Sequence, residues 1–170
     1  MGRRVVIIGG GAVGVETALL LAESGTLSGE ELKFLLVNGA VAAEKLYQLA
    51  TEGSKEITLV EMVDSLGANF GKSTRWGMLQ DVGRYGVKAL TKSQVIEISE
   101  SVVVIEQSGE RREVPADTVV LAVGTRSAAP TLREEVQALG IDCLVVGDAR
   151  QPGTVFEANH QGYKAGKAIA

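Results

Sequence analysis

The stretch Val5-Val6-Ile7-Ile8-Gly9-Gly10-Gly11-Ala12-Val13-Gly14-Val15 decides the fold of this chain. A run of β-branched residues enters a glycine-rich loop, and the loop opens directly into an apolar, helix-forming stretch. Gly9, Gly11 and Gly14 occupy the three glycine positions of the pattern G-x-G-x-x-G, in the strand–loop–helix context that the pattern requires. The sequence therefore predicts an α/β dinucleotide-binding unit whose helix start faces a pyrophosphate.

Each glycine of this pattern has its own physical reason. Gly9 allows the tight turn out of the strand, Gly11 lets the backbone approach a pyrophosphate, and Gly14 lets the helix lie close to the strand. Ala12 and Val13 lie at the start of the helix, where free N–H groups and the positive end of the helix dipole attract anions. We therefore predict that all five residues bind the cofactor.

Composition excludes several classes of protein. The chain has 170 residues and a net charge of −4, and its basic residues are scattered, which argues against a nucleic-acid partner. A single cysteine, Cys143, rules out an internal disulfide and a four-thiolate iron–sulfur site within this chain. The only histidine, His160, has no second metal ligand beside it, so no metal site is predicted. No apolar run has membrane-spanning length, and we expect a cytoplasmic location.

A helical insertion separates the first helix from the second strand. The helix 12–24 ends at Gly25, and the second strand covers 55–61, so the segment 26–54 is additional to a simple βαβ unit. Ser28 and Glu31 form a capping-box pattern, and apolar residues at helical spacing recur from Val41 to Thr51. We predict a helical hairpin that serves packing or contact between copies of the chain; a substrate lid is the alternative.

The remaining pattern alternates helices with short strands. A helix capped by Ser73 or Thr74 is predicted to end near Tyr85-Gly86. β-rich runs at 87–91, 94–99, 102–107 and 111–115 predict an antiparallel meander, and 118–124 is typical of a buried strand that ends in glycine. A short helix at 131–139, a last strand at 143–146 and a helical tail at 154–170 complete the prediction.

Glu61 is the residue that indicates whether the site prefers NADH or NADPH. An acidic side chain that ends the second strand can accept hydrogen bonds from both hydroxyls of the adenosine ribose and would repel a 2′-phosphate. No arginine follows within ten residues to receive such a phosphate, since Lys72 and Arg75 come after the loop. The sequence therefore favours NADH over NADPH.

The order of motifs resembles that of a known flavoprotein family. Gly9 to Ala18, Leu59-Val60-Glu61-Met62, Leu121-Ala122-Val123-Gly124-Thr125 and Val146-Gly147-Asp148-Ala149 follow one another as in the NAD(P)H-binding domain of the flavoproteins with two dinucleotide domains. Within that fold, the chain is most similar to the C-terminal part of 2-enoate reductases and 2,4-dienoyl-CoA reductases. The insertion and the stretch Gly71 to Trp76 resemble the clostridial-type enoate reductases.

The resemblance implies a fold and a function. The fold is an α/β three-layer, Rossmann-like domain with a central parallel sheet, an antiparallel meander and the inserted hairpin. The function is to bind NADH and deliver its hydride to a flavin, in a multi-cofactor enzyme that reduces activated C=C bonds. The parent would carry FAD, FMN on a barrel domain and an iron–sulfur cluster, and its domains would be the partners of this one.

The resemblance also assigns residues to parts of the cofactors. Glu61 and Met62 should face the adenosine, with Val95 near the adenine. Glu16 and the backbone of Ala122, Val123 and Gly124 should lie toward the nicotinamide. Asp148 should contact FAD, because the segment 143–170 would return to an FAD domain. No residue is assigned a catalytic role.

The chain departs from the family in carrying only one glycine fingerprint. We interpret 1–170 as one NAD(P)H-binding domain without the FAD domain, the FMN barrel and the cluster cysteines, and we expect no enoate reduction by this chain alone. Three alternatives stay open: an FAD-binding module, a nucleotide sensor without a redox role, and a small self-sufficient dehydrogenase. A small dehydrogenase would need an acid or base beside the nicotinamide, and no histidine is placed there.

Overall fold

The computed structural model describes residues 1–68, 70–128 and 130–169. They form two compact units, which divide between Val123 and Gly124. The strands of the first unit are β1 Arg4–Ile8, β2 Glu56–Val60, β3 Lys88–Leu90, β4 Ser93–Ile98, β5 Val102–Gln107, β6 Glu110–Pro115 and β7 Thr118–Leu121. Its helices are α1 Ala12–Ala22, α2 Gly29–Val37, α3 Ala43–Thr51 and α4 Lys72–Arg84. The second unit contains α5 Pro130–Ala138, a 3₁₀ turn at Gly147–Ala149 and α6 Val155–Ile169. None of the described helices is both long and apolar enough to cross a membrane.

A four-stranded parallel sheet lies at the centre of the first unit. Its strand order is β3-β2-β1-β7, and β1 pairs in parallel with β2 and with β7. Successive residues of β1 point to opposite faces of the sheet, and both faces are covered: Val5 and Ile7 belong to one core cluster and Val6 to the other. Cover on both sides explains why β1 is an uninterrupted apolar run.

Helices α1 and α4 cover one face of this sheet. Val15, Ala18 and Leu19 of α1 and Val82 of α4 pack against the apolar side chains that β1 and β2 direct to that side. Leu66, in the loop between β2 and α4, is also buried in this cluster. These contacts fix the start of α1 at the carboxyl end of β1.

The antiparallel meander β4-β5-β6 covers the other face. Val103 and Ile105 of β5 and Val114 of β6 pack against Val6 and Val60. A register shift between Val95 and Glu97 interrupts the pairing of β4 with β5. Helices, parallel sheet and meander together confirm the predicted three-layer α/β architecture.

The predicted meander begins one strand too early. The run 87–91 contributes β3, which pairs in parallel with Thr58–Val60 of β2 rather than with the meander. Gly86 has a φ of +66° and ends α4 with a sharp turn, so the chain returns directly to the sheet and completes a βαβ unit. The cap of α4 is also different from the prediction, since Gly71 precedes the helix and Thr74 donates back to the Gly71 carbonyl at 3.2 Å.

The helical hairpin predicted at 26–54 is present as α2 and α3. The hydroxyl of Ser28 accepts from the Glu31 backbone N–H, and a carboxylate oxygen of Glu31 accepts from the Ser28 N–H at 2.8 Å, so the predicted capping box forms. The Ser28 hydroxyl also donates to the Glu31 carboxylate at 2.7 Å, and this bond, together with the one from the Ser28 N–H, lowers the pKa of Glu31. At the base of the hairpin, Ser54 donates its N–H to the Ser24 carbonyl at 2.7 Å. No residue of 26–54 belongs to either core cluster described above.

The second unit does not contain the strand predicted at 143–146. Val146 has an extended backbone, as its β-branched side chain favours, but no other strand lies within the described residues of this unit to pair with it. A strand needs a neighbour for its N–H and C=O groups, so sequence preference alone does not make one. The 3₁₀ turn that follows is held by the Gly147 N–H, which donates to the side chain of Gln161 at 2.9 Å. Helices α5 and α6 lie close to their predicted positions.

The independence of the hairpin can be tested by deletion. Replacing 26–52 with a short Gly/Ser turn should leave a folded protein, because the ends of the segment already meet at Ser24 and Ser54 and loop entropy depends weakly on length. Gly53 should be kept, since a Cβ there would lie 2.0 Å from the Ala22 carbonyl oxygen. Circular dichroism should show a cooperative melt; an unfolded variant would mean that the hairpin is part of the core.

An ion pair ties the start of β1 to the start of β7. Asp117 accepts from the Arg4 backbone N–H at 2.8 Å and from the Arg4 Nε at 3.1 Å, and its own N–H donates to the Arg4 carbonyl at 2.8 Å. The hydrogen bonds from the Arg4 side chain and backbone lower the pKa of Asp117 to about 2. A carboxylate with a depressed pKa stabilises the folded state above its unfolded pKa and ceases to do so as the pH falls through the folded value.

Asp117→Asn should therefore lower the thermal midpoint at neutral pH. The difference from the wild type should persist down to about pH 4, the ordinary pKa of aspartate, and narrow as the pH falls toward 2, where about half of the folded wild type carries a protonated Asp117. Thermal melts of both proteins between pH 2 and 7 measure this. Asp142→Asn, an exposed aspartate of the second unit, is the control. A constant difference at all pH values would contradict the assignment.

Candidate functional site

The glycine loop leaves no space for a side chain at Gly9 or Gly14, and at Gly9 the backbone also takes a conformation that favours glycine. Gly9 has a φ of +108°, and a Cβ there would lie 2.4 Å from the Ala122 carbonyl oxygen. A Cβ on Gly14 would lie 1.8 Å from the Gly9 carbonyl oxygen, so α1 passes in direct contact with the backbone that leaves β1. The predicted roles of these two glycines in the turn and in helix–strand packing agree with this geometry.

Gly11 is different, because no heavy atom lies within 4 Å of a Cβ built on it. It is the N-cap of α1 and provides no side chain to accept from the first turn of the helix. The first intrahelical bond is donated by the Val15 N–H to the Gly11 carbonyl at 3.0 Å, so the N–H groups of Ala12 and Val13 precede it. The result is an open, uncapped helix start with the electrostatic character that attracts a phosphate anion.

Glu61 follows the last residue of β2 and lies against this loop. One carboxylate oxygen accepts from the Gly10 N–H at 2.5 Å, and the other accepts from the Val63 N–H at 3.0 Å. An ionised carboxylate has about four lone-pair sites, so two bonds to the backbone leave capacity for two further donors. The carboxylate therefore shapes the loop and can still accept hydrogen bonds from a diol.

A second segment, at Leu66 and Gly67, also hydrogen-bonds to the glycine loop. The Gly67 N–H donates to the Gly10 carbonyl at 2.7 Å. The Leu66 carbonyl, in the same peptide group, accepts from Arg75 Nε at 3.1 Å and Nη2 at 2.8 Å. Gly10 has no room for a Cβ, which would lie 2.5 Å from the Leu66 side chain.

Met62 and Val95 are the other residues predicted to lie near the adenosine. Met62 follows Glu61, and its side chain is exposed, so it is available to contact a bound ligand. Val95 lies in β4, opposite Ile105, and is partly buried against the meander core. The assignment of both residues to the adenosine stays a prediction.

The residues predicted at the nicotinamide end lie at the carboxyl end of β7 and on α1. Ala122 donates its N–H to the Ile8 carbonyl at 2.8 Å, and Val123 is exposed. Gly124 has a φ of +89°, and Glu16 is exposed on α1. Because ligands bind at the carboxyl ends of parallel strands, this arrangement is compatible with the prediction.

Asp148, predicted to contact FAD, lies in the 3₁₀ turn of the second unit. Its carboxylate accepts from the Gly153 N–H at 3.3 Å. The Ser127 hydroxyl donates to the Ala149 carbonyl at 2.6 Å and holds the same turn. A contact between Asp148 and a flavin stays a prediction.

The sequence did not point to Gly10, Leu66, Gly67 or Arg75 as site residues. Gly10 occupies a position that the fingerprint leaves free, and its contact with Leu66 arises from packing across 56 positions of the chain. In the sequence, Gly67 is a glycine in a polar loop and Arg75 is a basic residue that follows this loop. Neither indicates which carbonyl the guanidinium binds.

Comparison with known proteins assigns this architecture to a family. Residues 1–151 match the family model described as pyridine nucleotide-disulphide oxidoreductase. A protein of Desulforamulus reducens named metal reductase is 46% identical over 165 residues, which cover 95% of this chain and 24% of that protein. The NADH oxidase of Thermoanaerobacter brockii is 29% identical over 161 residues, which cover 94% of this chain and 20% of that protein.

A solved structure shares the fold. The 2-naphthoyl-CoA reductase in complex with 2-naphthoyl-CoA superposes with a TM-score of 0.66 at 22% identity, over 98% of this chain and 21% of that chain. The chain therefore spans about a fifth to a quarter of the length of these proteins.

Mutation can distinguish Gly14, where packing leaves no space for a side chain, from Gly11, which is open to a ligand. Gly14→Ala should lower the free energy of unfolding by about 3 kcal/mol or more, because the backbone leaves no space for the methyl group. Gly11→Ala should cost only about 1 kcal/mol, the usual cost of alanine at an N-cap, but should weaken NADH binding, because the methyl group would occupy the open side of the loop.

Thermal melts and calorimetric titration with NADH measure both effects. Gly77→Ala in α4 is the matched control, since that glycine also has no heavy atom within 4 Å of a built Cβ but lies in the interior of another helix. It should stabilise the protein by about 0.5–1 kcal/mol and leave NADH binding unchanged. Wild-type affinity in Gly11→Ala would exclude the helix start as the phosphate site.

Proposed function

Because the chain belongs to the pyridine nucleotide-disulphide oxidoreductase family, we propose that its glycine loop binds NADH and presents the nicotinamide to a flavin held elsewhere in a longer protein. The observation that carries this proposal is the open start of α1 beside Gly11, framed by the Glu61 carboxylate. The hydride chemistry belongs to the cofactors; the residues of this chain bind and orient the nucleotide and set the charge around it.

The preference for NADH over NADPH rests on charge. The Glu61 carboxylate has unused lone pairs for two ribose hydroxyls, and a 2′-phosphate would bring a second negative charge to the same place. The guanidinium of Arg75, on α4, donates to the Leu66 carbonyl. The similar protein of Thermoanaerobacter brockii carries the name NADH oxidase, which is consistent with this preference.

The assignment of the nicotinamide end and of the flavin is part of the same proposal. Glu16 and the backbone from Ala122 to Gly124 would lie near the nicotinamide, and Asp148 would contact FAD together with an FAD domain of the longer protein. FMN on a barrel and an iron–sulfur cluster would belong to other parts of the parent, since this chain has one cysteine. We propose a cytoplasmic location for the parent, with its FAD and FMN domains as the partners of this one.

We propose that the parent reduces activated C=C bonds. The resemblance of the motif order to that of 2-enoate reductases supports this proposal. A second candidate acceptor is a metal ion, because a relative that is 46% identical is named a metal reductase. Both candidates share the NADH step and differ only in what receives the electrons.

Glu61→Ala should weaken NADH binding by roughly tenfold to a hundredfold. Hydrogen bonds to a charged group contribute about 1.5–3 kcal/mol, and 1.4 kcal/mol corresponds to a factor of ten in the dissociation constant. The wild type should bind NADPH more weakly than NADH, and the variant should narrow that gap. Met62→Arg should narrow it further by offering a partner to the 2′-phosphate. Calorimetric titration with NADH, NADPH and FAD gives all of these constants.

The matched control is Glu56→Ala, at the opposite end of the same strand, where the carboxylate pairs with Arg3 at 2.9 Å in solvent. This substitution should change neither the NADH nor the NADPH dissociation constant. Equal affinity of the wild type for NADH and NADPH would refute the preference. Tight binding of FAD instead, with a flavin absorption band in the purified chain, would favour the FAD-binding alternative, and nucleotide binding without electron transfer in the parent would favour the sensor.

A further inference from the structure

One peptide group connects helix α4 to the glycine loop. The carbonyl of the Leu66–Gly67 peptide accepts two hydrogen bonds from Arg75, at 3.1 Å and 2.8 Å, and the N–H of the same peptide donates to the Gly10 carbonyl at 2.7 Å. Because a peptide group is planar and rigid, fixing its oxygen also fixes the direction of its N–H. The guanidinium of Arg75 therefore sets where the Gly10 carbonyl is held.

The Gly10 carbonyl in turn sets the direction of the next N–H. In a trans peptide the C=O and the following N–H point in opposite directions, so a Gly10 carbonyl held by Gly67 directs the Gly11 N–H away from that segment. Within 1–68, 70–128 and 130–169, no backbone or side-chain acceptor takes the Gly11 N–H. It lies next to the uncapped start of α1, where the pyrophosphate is proposed to bind.

We propose that Arg75 is a positioning residue for the pyrophosphate site: through the Leu66–Gly67 and Gly10–Gly11 peptides it orients the Gly11 N–H toward the diphosphate. This inference rests on the proposed binding of a dinucleotide at the glycine loop. Arginine suits the role better than lysine, because its planar fork donates twice to one carbonyl and loses little freedom in doing so. Its stem also passes close to Gly67, since its Cγ lies 3.6 Å from the position that a Cβ on Gly67 would take.

The test compares ligands with and without the diphosphate. Arg75→Met keeps an apolar stem but removes the donors, and it should weaken NADH binding roughly tenfold, the effect of losing about one charge-assisted hydrogen bond. Adenosine, which has the base and ribose but no phosphate, should bind both proteins equally by ligand-observed NMR. Arg75→Lys, with one donor point, should recover part of the NADH affinity. Hydrogen exchange at the Gly67 amide should be faster in Arg75→Met.

Arg84→Met is the control, because Arg84 lies on the same helix but pairs with the Asp81 carboxylate. It should leave all three readouts unchanged. The inference is overturned if Arg75→Met binds NADH within twofold of the wild type, or if it loses adenosine as strongly as NADH, which is the mark of a merely structural role. If Arg75→Met does not fold, Arg75→Lys decides by the same two criteria.

Failure of the proposed function has a different signature. A folded wild-type chain that binds no NADH refutes the dinucleotide site, and the role of Arg75 falls with it. A wild type that binds NADH, alongside an Arg75→Met protein with the same affinity, leaves the function standing and overturns the role of Arg75 alone.

Discussion

The close approach of α1 to β1 is the constraint on which the rest of this structure depends. The Gly9 carbonyl oxygen lies where a side chain at position 14 would begin, so the helix starts in contact with the end of the strand. That contact directs the helix start to the carboxyl edge of the sheet, where the segment after β2 also arrives. The glycine loop, the Glu61 carboxylate and the Leu66–Gly67 peptide can meet only because this distance is short.

Local patterns were sufficient to predict the parts of the fold that local interactions determine. The β-branched run with its glycine loop predicted β1 and α1, and the capping pattern at Ser28 and Glu31 predicted the start of α2. Glu61 could be placed at the end of β2 because strand length and the acidic residue are both visible in sequence. The family resemblance then fixed the order of layers, which the periodicities alone do not.

What the sequence could not predict depends on partners distant in the chain. The run 87–91 has the composition of a meander strand. Its backbone pairs with β2 instead, because the turn at Gly86 returns the chain to the parallel sheet. The run 143–146 has the composition of a strand and an extended Val146, yet no strand pairs with it among the described residues of its unit. Likewise, nothing in the letters around Arg75 indicates that its guanidinium binds the carbonyl of Leu66, nine residues earlier.

The hydrogen bond between Ser54 and Ser24 at the base of the helical hairpin has a practical consequence for following this protein in solution. The hairpin leaves and rejoins the core at one point. A fluorescent label attached to it should therefore respond to its local environment without perturbing the parallel sheet. The turn between α2 and α3, with Gly39 at a φ of +59°, is exposed and carries no core side chain. With its single partly buried cysteine replaced, the chain could carry one fluorophore at Ala40 and report the arrival of neighbouring domains or copies while the nucleotide site stays intact.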